Sequence, residues 1–128
     1  MAHITVRVRI YFDATLVIGP GRIELLEGVQ RTGSLSQAAR DMRMSYRRAW
    51  LLMQSLNESL SSPASVAARG GRRGGGATVT PTGRALIQAY RRTEAKVARN
   101  ISERFARFAR RTTASSRSKV RVPATYRK

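Results

Sequence analysis

The stretch GSLSQAARDMRMSYRRAWLLMQSL, Gly33 to Leu56, holds two helix starts separated by one break. Gly33 has the profile of a left-handed cap closing an earlier helix. Ser34 follows, with Gln37 three residues on, which is the spacing of a capping box. Leu35, Ala38, Ala39 and Met42 then share one helix face over about two turns, and the adjacent alanines let a neighbouring helix come close. DMRMS, 41–45, interrupts the pattern. Ser45 can cap a third helix running to about Leu60, with Ala49, Leu52, Met53, Leu56 and Leu60 inward. At about 100° per residue the opposite face carries Arg47, Leu51, Gln54 and Glu58, flanked by Arg48 and Trp50. Helix, cap, short helix, turn and longer helix is the order of a helix-turn-helix.

Upstream, ITVRVRIYF alternates. Ile4, Val6, Val8, Ile10 and Phe12 lie on one side and Thr5, Arg7, Arg9 and Tyr11 on the other, which predicts a half-buried strand. Asp13-Ala14 can turn it into a short partner, TLVI. GPG at 19–21 then breaks the alternation and seeds a first helix, with Pro20 in its first turn and Ile23, Leu25, Leu26 and Val29 as its stripe.

Downstream, SSPAS stops the third helix. The run RGGRRGGG, 69–76, is bracketed by SVAA and ATVT, each short enough to be a strand, so a hairpin over about 66–80 is predicted, with Arg69, Arg72 and Arg73 at its tip. A nucleotide loop of the Walker type needs Lys and then Ser or Thr after its second glycine, whereas Gly75 is followed by Gly76 and Ala77. Thr80-Pro81 or Thr82 can cap a long helix over about 82–111, along which Leu86, Tyr90, Val97, Ile101, Phe105 and Phe108 recur at helical spacing. About thirty helical residues span roughly 45 Å, more than a small core covers. These six residues are therefore the candidate interface of a homodimer. Residues 112–128 are rich in Ser, Thr, Arg and Lys and are expected to form a basic, disordered tail.

The totals narrow the function. The chain has 128 residues, enough for one domain, expected over 1–111. Its 25 Lys and Arg against 7 Asp and Glu leave a formal charge of +18, a field that attracts polyanions. Only Lys96, Lys119 and Lys128 are lysines, and the arginine fork suits phosphate and guanine better than an ammonium does. There are no cysteines, and His3 is the only histidine, so thiolate chemistry, imidazole metal sites and a Ser-His pair have almost no material. The few carboxylates are scattered and supply no paired acid and base, so no enzyme, metal or cofactor is expected. The start MAHITVRVRIYF has no signal-peptide core, and no apolar run approaches a membrane span. The expectation is a cytoplasmic, nucleoid-associated protein with no membrane partner.

IGPGRIELLEGVQRTGSLSQAARDMRMSYRRAW followed by GGRRGGGATVTPTGRALIQAY resembles the N-terminal DNA-binding domain of the ModE family of molybdate-responsive bacterial regulators, over roughly Ile18 to Tyr90. The second-helix pattern is shared with LysR-type regulators; its combination with SYRRAW and the glycine-rich tip is more specific. The resemblance implies a mostly α fold with a small β component: a winged helix-turn-helix with an N-terminal strand or hairpin and a long C-terminal dimerisation helix. It implies duplex DNA as the partner and transcriptional regulation as the function. The candidate contacts are Ser34, Ser36 and Gln37 in the second helix, Ser45, Tyr46, Arg47, Arg48 and Gln54 in the third, and Arg69, Arg72 and Arg73 on the wing. For Trp50, packing in a core or interface is weighed above base stacking. Two departures stand out: the tip has paired arginines, Arg72 and Arg73, and SSPASVAARGG lacks the bulky residues of a first wing strand. Family members bind molybdate in C-terminal domains, whereas only a helix and a tail follow the wing here. The resemblance therefore carries DNA binding without molybdate sensing, and no effector is evident. The alternative is a nonspecific, nucleoid-like or RNA-binding basic protein.

Overall fold

A computed structural model describes residues 4–13, 16–68 and 76–110. Chain order runs β1 (Ile10–Phe12), β2 (Leu16–Ile18), α1 (Pro20–Thr32), α2 (Leu35–Asp41), α3 (Tyr46–Ser59), β3 (Ser65–Ala67), β4 (Ala77–Val79) and α4 (Pro81–Phe105), closed by a 3-10 turn over Ala106–Phe108. The architecture is a winged helix-turn-helix, mostly helical with two small antiparallel hairpins. Arg69, Arg72, Arg73, His3 and the expected tail lie outside the described residues.

Each helix begins where local chemistry starts it. Pro20 opens α1, where its missing N–H costs nothing. Gly33 ends α1 at φ 70°, and its N–H returns to Val29 O at 2.7 Å. Ser34, Ser45 and Thr80 cap α2, α3 and α4, their side-chain oxygens accepting the N–H of Gln37, Arg48 and Gly83 at 3.0, 3.1 and 3.0 Å. The capping box at Ser34 is only half formed. The Gln37 side chain turns outward to Arg40 and Asp41, and the Ser34 N–H is met by Thr32 Oγ1 at 3.2 Å instead.

One core lies between the helices. Ile23, Leu25, Leu26 and Val29 of α1, Leu35, Ala38 and Ala39 of α2, and Ala49, Met53 and Leu56 of α3 are buried together with Ile18, Val79, Ile87 and Tyr90. Leu52 and Leu60 pack against it half-buried. The small residues set the helix separation: a Cβ on Gly28 would lie 2.9 Å from that of Ala38.

Several expectations need correction. Only Ile10–Phe12 of the long alternating segment is paired, because its partner β2 has three residues, in the register Ile10 to Ile18 and Phe12 to Leu16. Phe12, expected inside, is 41% exposed at the end of β1. Tyr90, expected in a dimer interface, is 2% exposed within the single chain, and its hydroxyl donates to Val8 O at 2.6 Å. Leu86 likewise leans on the core. The long helix ends at Phe105 rather than 111, tightening into the 3-10 turn where little packs against it.

Candidate nucleic-acid interface

The turn between α2 and α3 aims α3. Arg43 takes the left-handed conformation at φ 58°, and Met44 N–H reaches back to Ala39 O at 3.0 Å. The chain thereby re-enters a helix at Tyr46, capped by Ser45, after four residues outside it. Ala49, Met53 and Leu56 tie α3 to the core, so Tyr46, Arg47, Arg48, Trp50, Leu51 and Gln54 are left exposed on its outward side. Trp50 is 45% exposed, not core, and walls a groove instead.

That groove, about 200 Å³, runs between α3 and the wing and is lined by Tyr46, Trp50, Gln54, Asn57, Val66 and Ala77 among others. β3 and β4 pair in the register Ser65 to Val79, Val66 to Thr78 and Ala67 to Ala77, which resolves the alignment of the small-residue wing strand. The returning strand is anchored to the α1–α2 turn: Ala77 N–H donates to Gly33 O at 3.0 Å, and Ser34 bridges Gly76. Asn57, absent from the sequence-based candidates, clips α3 to the wing. Its Oδ1 accepts Ala64 N–H at 2.8 Å and Ser65 N–H at 3.3 Å, and its Nδ2 donates to Ser65 O at 3.2 Å.

The candidate residues of α2 belong to a separate polar patch. Ser34 is the cap, and Ser36 accepts from Arg40 at 3.4 Å. Gln37 donates to Asp41 at 2.8 Å, and Arg31 meets the same carboxylate at 2.9 Å. The Gln37 bond first, and then that of Arg31, hold the Asp41 carboxyl below its ordinary value. On α3, Gln54 reaches Glu58 at 3.4 Å. The flank of α3 away from the wing carries an open cleft of about 400 Å³, where Arg22 of α1 approaches Arg47 and Arg48. Burial, followed by the charges of Arg9 and Arg48, holds the Arg22 guanidinium below its ordinary value. Neither Arg9 nor Arg22 carries a local sequence signal for this cluster.

Among the described residues no group of three or more His, Cys, Asp or Glu is placed to hold a metal ion, and no helix is long and apolar enough to cross a membrane. The chemistry available on α3 is that of hydrogen-bond donors, cations and two aromatic faces.

Known proteins match this chain in sequence and in fold. The molybdenum-pterin-binding protein MopB of Rhodobacter capsulatus is 47% identical over 85 residues, covering 66% of this chain and 32% of its own length. The molybdenum transport protein ModE of Azotobacter vinelandii is 35% identical over 88 residues, covering 69% of this chain and 33% of its own. The DNA-binding transcriptional dual regulator ModE of Escherichia coli K12 is 40% identical over 75 residues, covering 59% and 29%. The chain thus spans about a third of the length of the relatives it matches. No protein-family model matches it. Among solved structures, a chain of the CbnR DNA-binding domain in complex with DNA superposes with a TM-score of 0.55 at 19% identity, covering 69% of this chain and 95% of that one. That likeness establishes the fold.

Proposed function

We propose, from its resemblance to the ModE and Mop proteins and its winged helix-turn-helix fold, that this chain is a DNA-binding transcriptional regulator. The observation that carries this reading is the outward face of α3. A capped helix start exposes Tyr46, Arg47 and Arg48, with Gln54 further along and the wing alongside. α3 enters the major groove N-terminus first. Arg47 and Arg48 meet guanine edges or phosphates, while Ser45 and Tyr46 donate to phosphates. Arg69, Arg72 and Arg73, which the sequence assigns to the wing, are the proposed contacts to the adjacent backbone. Ser34, Ser36 and Gln37 stand at the start of α2, where Asp41 holds the Gln37 side chain and Arg40 meets Ser36.

The functional unit is a homodimer. α4 has 25 residues, and its apolar stripe continues past the core through Val97, Ile101 and Phe105, with Phe108 following in the 3-10 turn. A second copy covering that stripe sets two α3 helices about 34–36 Å apart. The charge of +18 favours a second reading, nonspecific binding to nucleic acid.

Selection from random duplexes, followed by competition at physiological salt, separates the two. A regulator binds a selected site at least ~10³ more tightly than random duplex. If the selected site competes no better than random sequence, the nonspecific reading holds and the regulator is lost.

A further inference from the structure

The cleft on the far flank of α3 has an unmet electrostatic demand. Arg22 reaches it from the first turn of α1, and its Nη2 donates to Ser55 Oγ at 3.0 Å. Ser55 is itself held, its hydroxyl donating to Leu52 O at 3.0 Å. The guanidinium is therefore fixed in place. Its Nε is sealed from solvent and has no hydrogen-bond acceptor. A guanidinium held in place with the like charges of Arg9 and Arg48 close by is costly unless an anion lies against it.

No carboxylate fills that role. All 7 acidic residues lie among the described residues, and the ion pairs there join Arg31 to Asp41 and Arg91 to Glu27 and Glu94. The start of α3 adds to the positive field at the same place. Ser45, which lines the cleft, takes the Arg48 N–H, while helix geometry leaves the N–H groups of Tyr46 and Arg47 without a carbonyl in the helix.

We propose that this cleft is a phosphate seat, in which a tetrahedral phosphate-class oxyanion lies against the Arg22 and Arg48 guanidiniums beside the first turn of α3. In the complex the oxyanion is a backbone phosphodiester, an assignment that rests on the DNA-binding reading above. In the free protein, inorganic phosphate takes the same place. Arg22 then sets the register of α3 in the groove without reading a base. Ser55 is a positioning residue, because its hydroxyl is engaged by the Arg22 guanidinium and by Leu52 O.

The test uses the full chain, with Arg22→Gln, Arg22→Lys and Ser55→Ala. Two quantities are read: the slope of log affinity against log salt on a selected and a random duplex, and the Arg22 Nε–H resonance during titration with inorganic phosphate. Arg22→Gln is expected to lose about tenfold in affinity on both duplexes and about one unit of slope, with Arg22→Lys recovering the slope. Inorganic phosphate shifts the Nε–H resonance saturably in the wild type and more weakly in Ser55→Ala. An unchanged slope in Arg22→Gln, in a protein that still binds DNA, overturns the phosphodiester contact and leaves the regulator reading intact. A saturable phosphate shift in a protein that binds no duplex keeps the seat and removes the DNA reading. If Arg22→Gln does not fold, the wild-type titration and the Ser55→Ala slope decide, and a flat titration overturns the seat.

Discussion

Arg91 of α4 grips Glu27 of α1 at two points, with Nε 3.0 Å from Oε2 and Nη2 2.7 Å from Oε1. Its remaining arm, Nη1, meets Glu94 at 2.7 Å. The parallel fork fixes direction as well as distance, so it orients α4 against α1. The bond to Glu27 is the largest cause raising the Arg91 pKa above its ordinary value. Solvent screens the pair, whose side chains are 37% and 30% exposed, and this holds the energy to a modest level. Arg91→Ala is expected to lower stability by about 1 kcal/mol in urea melts. Arg91→Lys should recover less than half, because an ammonium lacks the planar fork that grips Glu27 at two points, and added salt should shrink the difference.

Gly83, in the first turn of α4, lies under the start of the wing. A Cβ there would fall on the Ala64 carbonyl oxygen and 2.7 Å from Val79 Cγ1. Backbone cannot yield cheaply, so Gly83→Ala is expected to cost about 1–3 kcal/mol of stability. Gly21→Ala is the control. Nothing lies within 4 Å of its Cβ position, and its melting temperature should stay level or rise.

The parts legible in the sequence are those governed by neighbours within one helical turn. Ser34, Ser45 and Thr80 cap the N–H three residues on, and Gly33 closes α1 four residues back. The helix-turn-helix and the exposure of Arg47 and Arg48 follow from such local rules. Contacts between distant residues left no such mark. Arg22 finds Ser55 33 positions away, and Arg91 finds Glu27 64 away. Tyr90 sits on the same apolar stripe as Val97 and Ile101, and periodicity alone does not separate it from them. Val8, 82 positions upstream, is what draws it inside.

Asn57 is another contact of this hidden kind, and its removal is informative. Asn57→Ala strands the Ala64 N–H, now bonded at 2.8 Å, and loosens the wing from α3. The expected cost is about 1–3 kcal/mol, with faster hydrogen exchange at Ala64 and Ser65. Asn57→Asp keeps the acceptor for both N–H groups and should cost less. Equal losses in the two variants would show that the donor, not the acceptor, holds the wing.

Tyr90 links stability to alkaline pH. Burial, and after it the charge of Glu94, push its hydroxyl above the ordinary value of 10.0. The folded state therefore holds this proton more tightly than the unfolded chain. The resulting stability is complete below the unfolded pKa and is lost as pH rises through the folded one. Tyr90→Phe should lower stability at neutral pH by about 1 kcal/mol, since Val8 O loses its donor. The gap between variant and wild type should narrow as pH rises above about 10. Guanidinium melts at neutral and alkaline pH measure both effects, and a gap that does not change with pH would remove Tyr90 as the cause.

The far half of α4 tests the dimer separately from the fold. Leu86, Ile87 and Tyr90 pack into the core, whereas Phe105 and Phe108 are 49% and 67% exposed, their rings 6.0 Å apart. Val97 and Ile101 lie between these groups, half-buried. A charge placed at Ile101 keeps part of its contact with solvent in the monomer and meets an apolar seam in a dimer. Ile101→Asp should therefore change monomer stability little while converting a dimer to monomer in sedimentation at micromolar concentration. It should also reduce affinity for a two-half-site duplex to that for a single half-site, because the two α3 helices are no longer joined. A variant that still sediments as a dimer would place the interface elsewhere. A wild type that is already monomeric on and off DNA would remove the proposed role of α4 altogether.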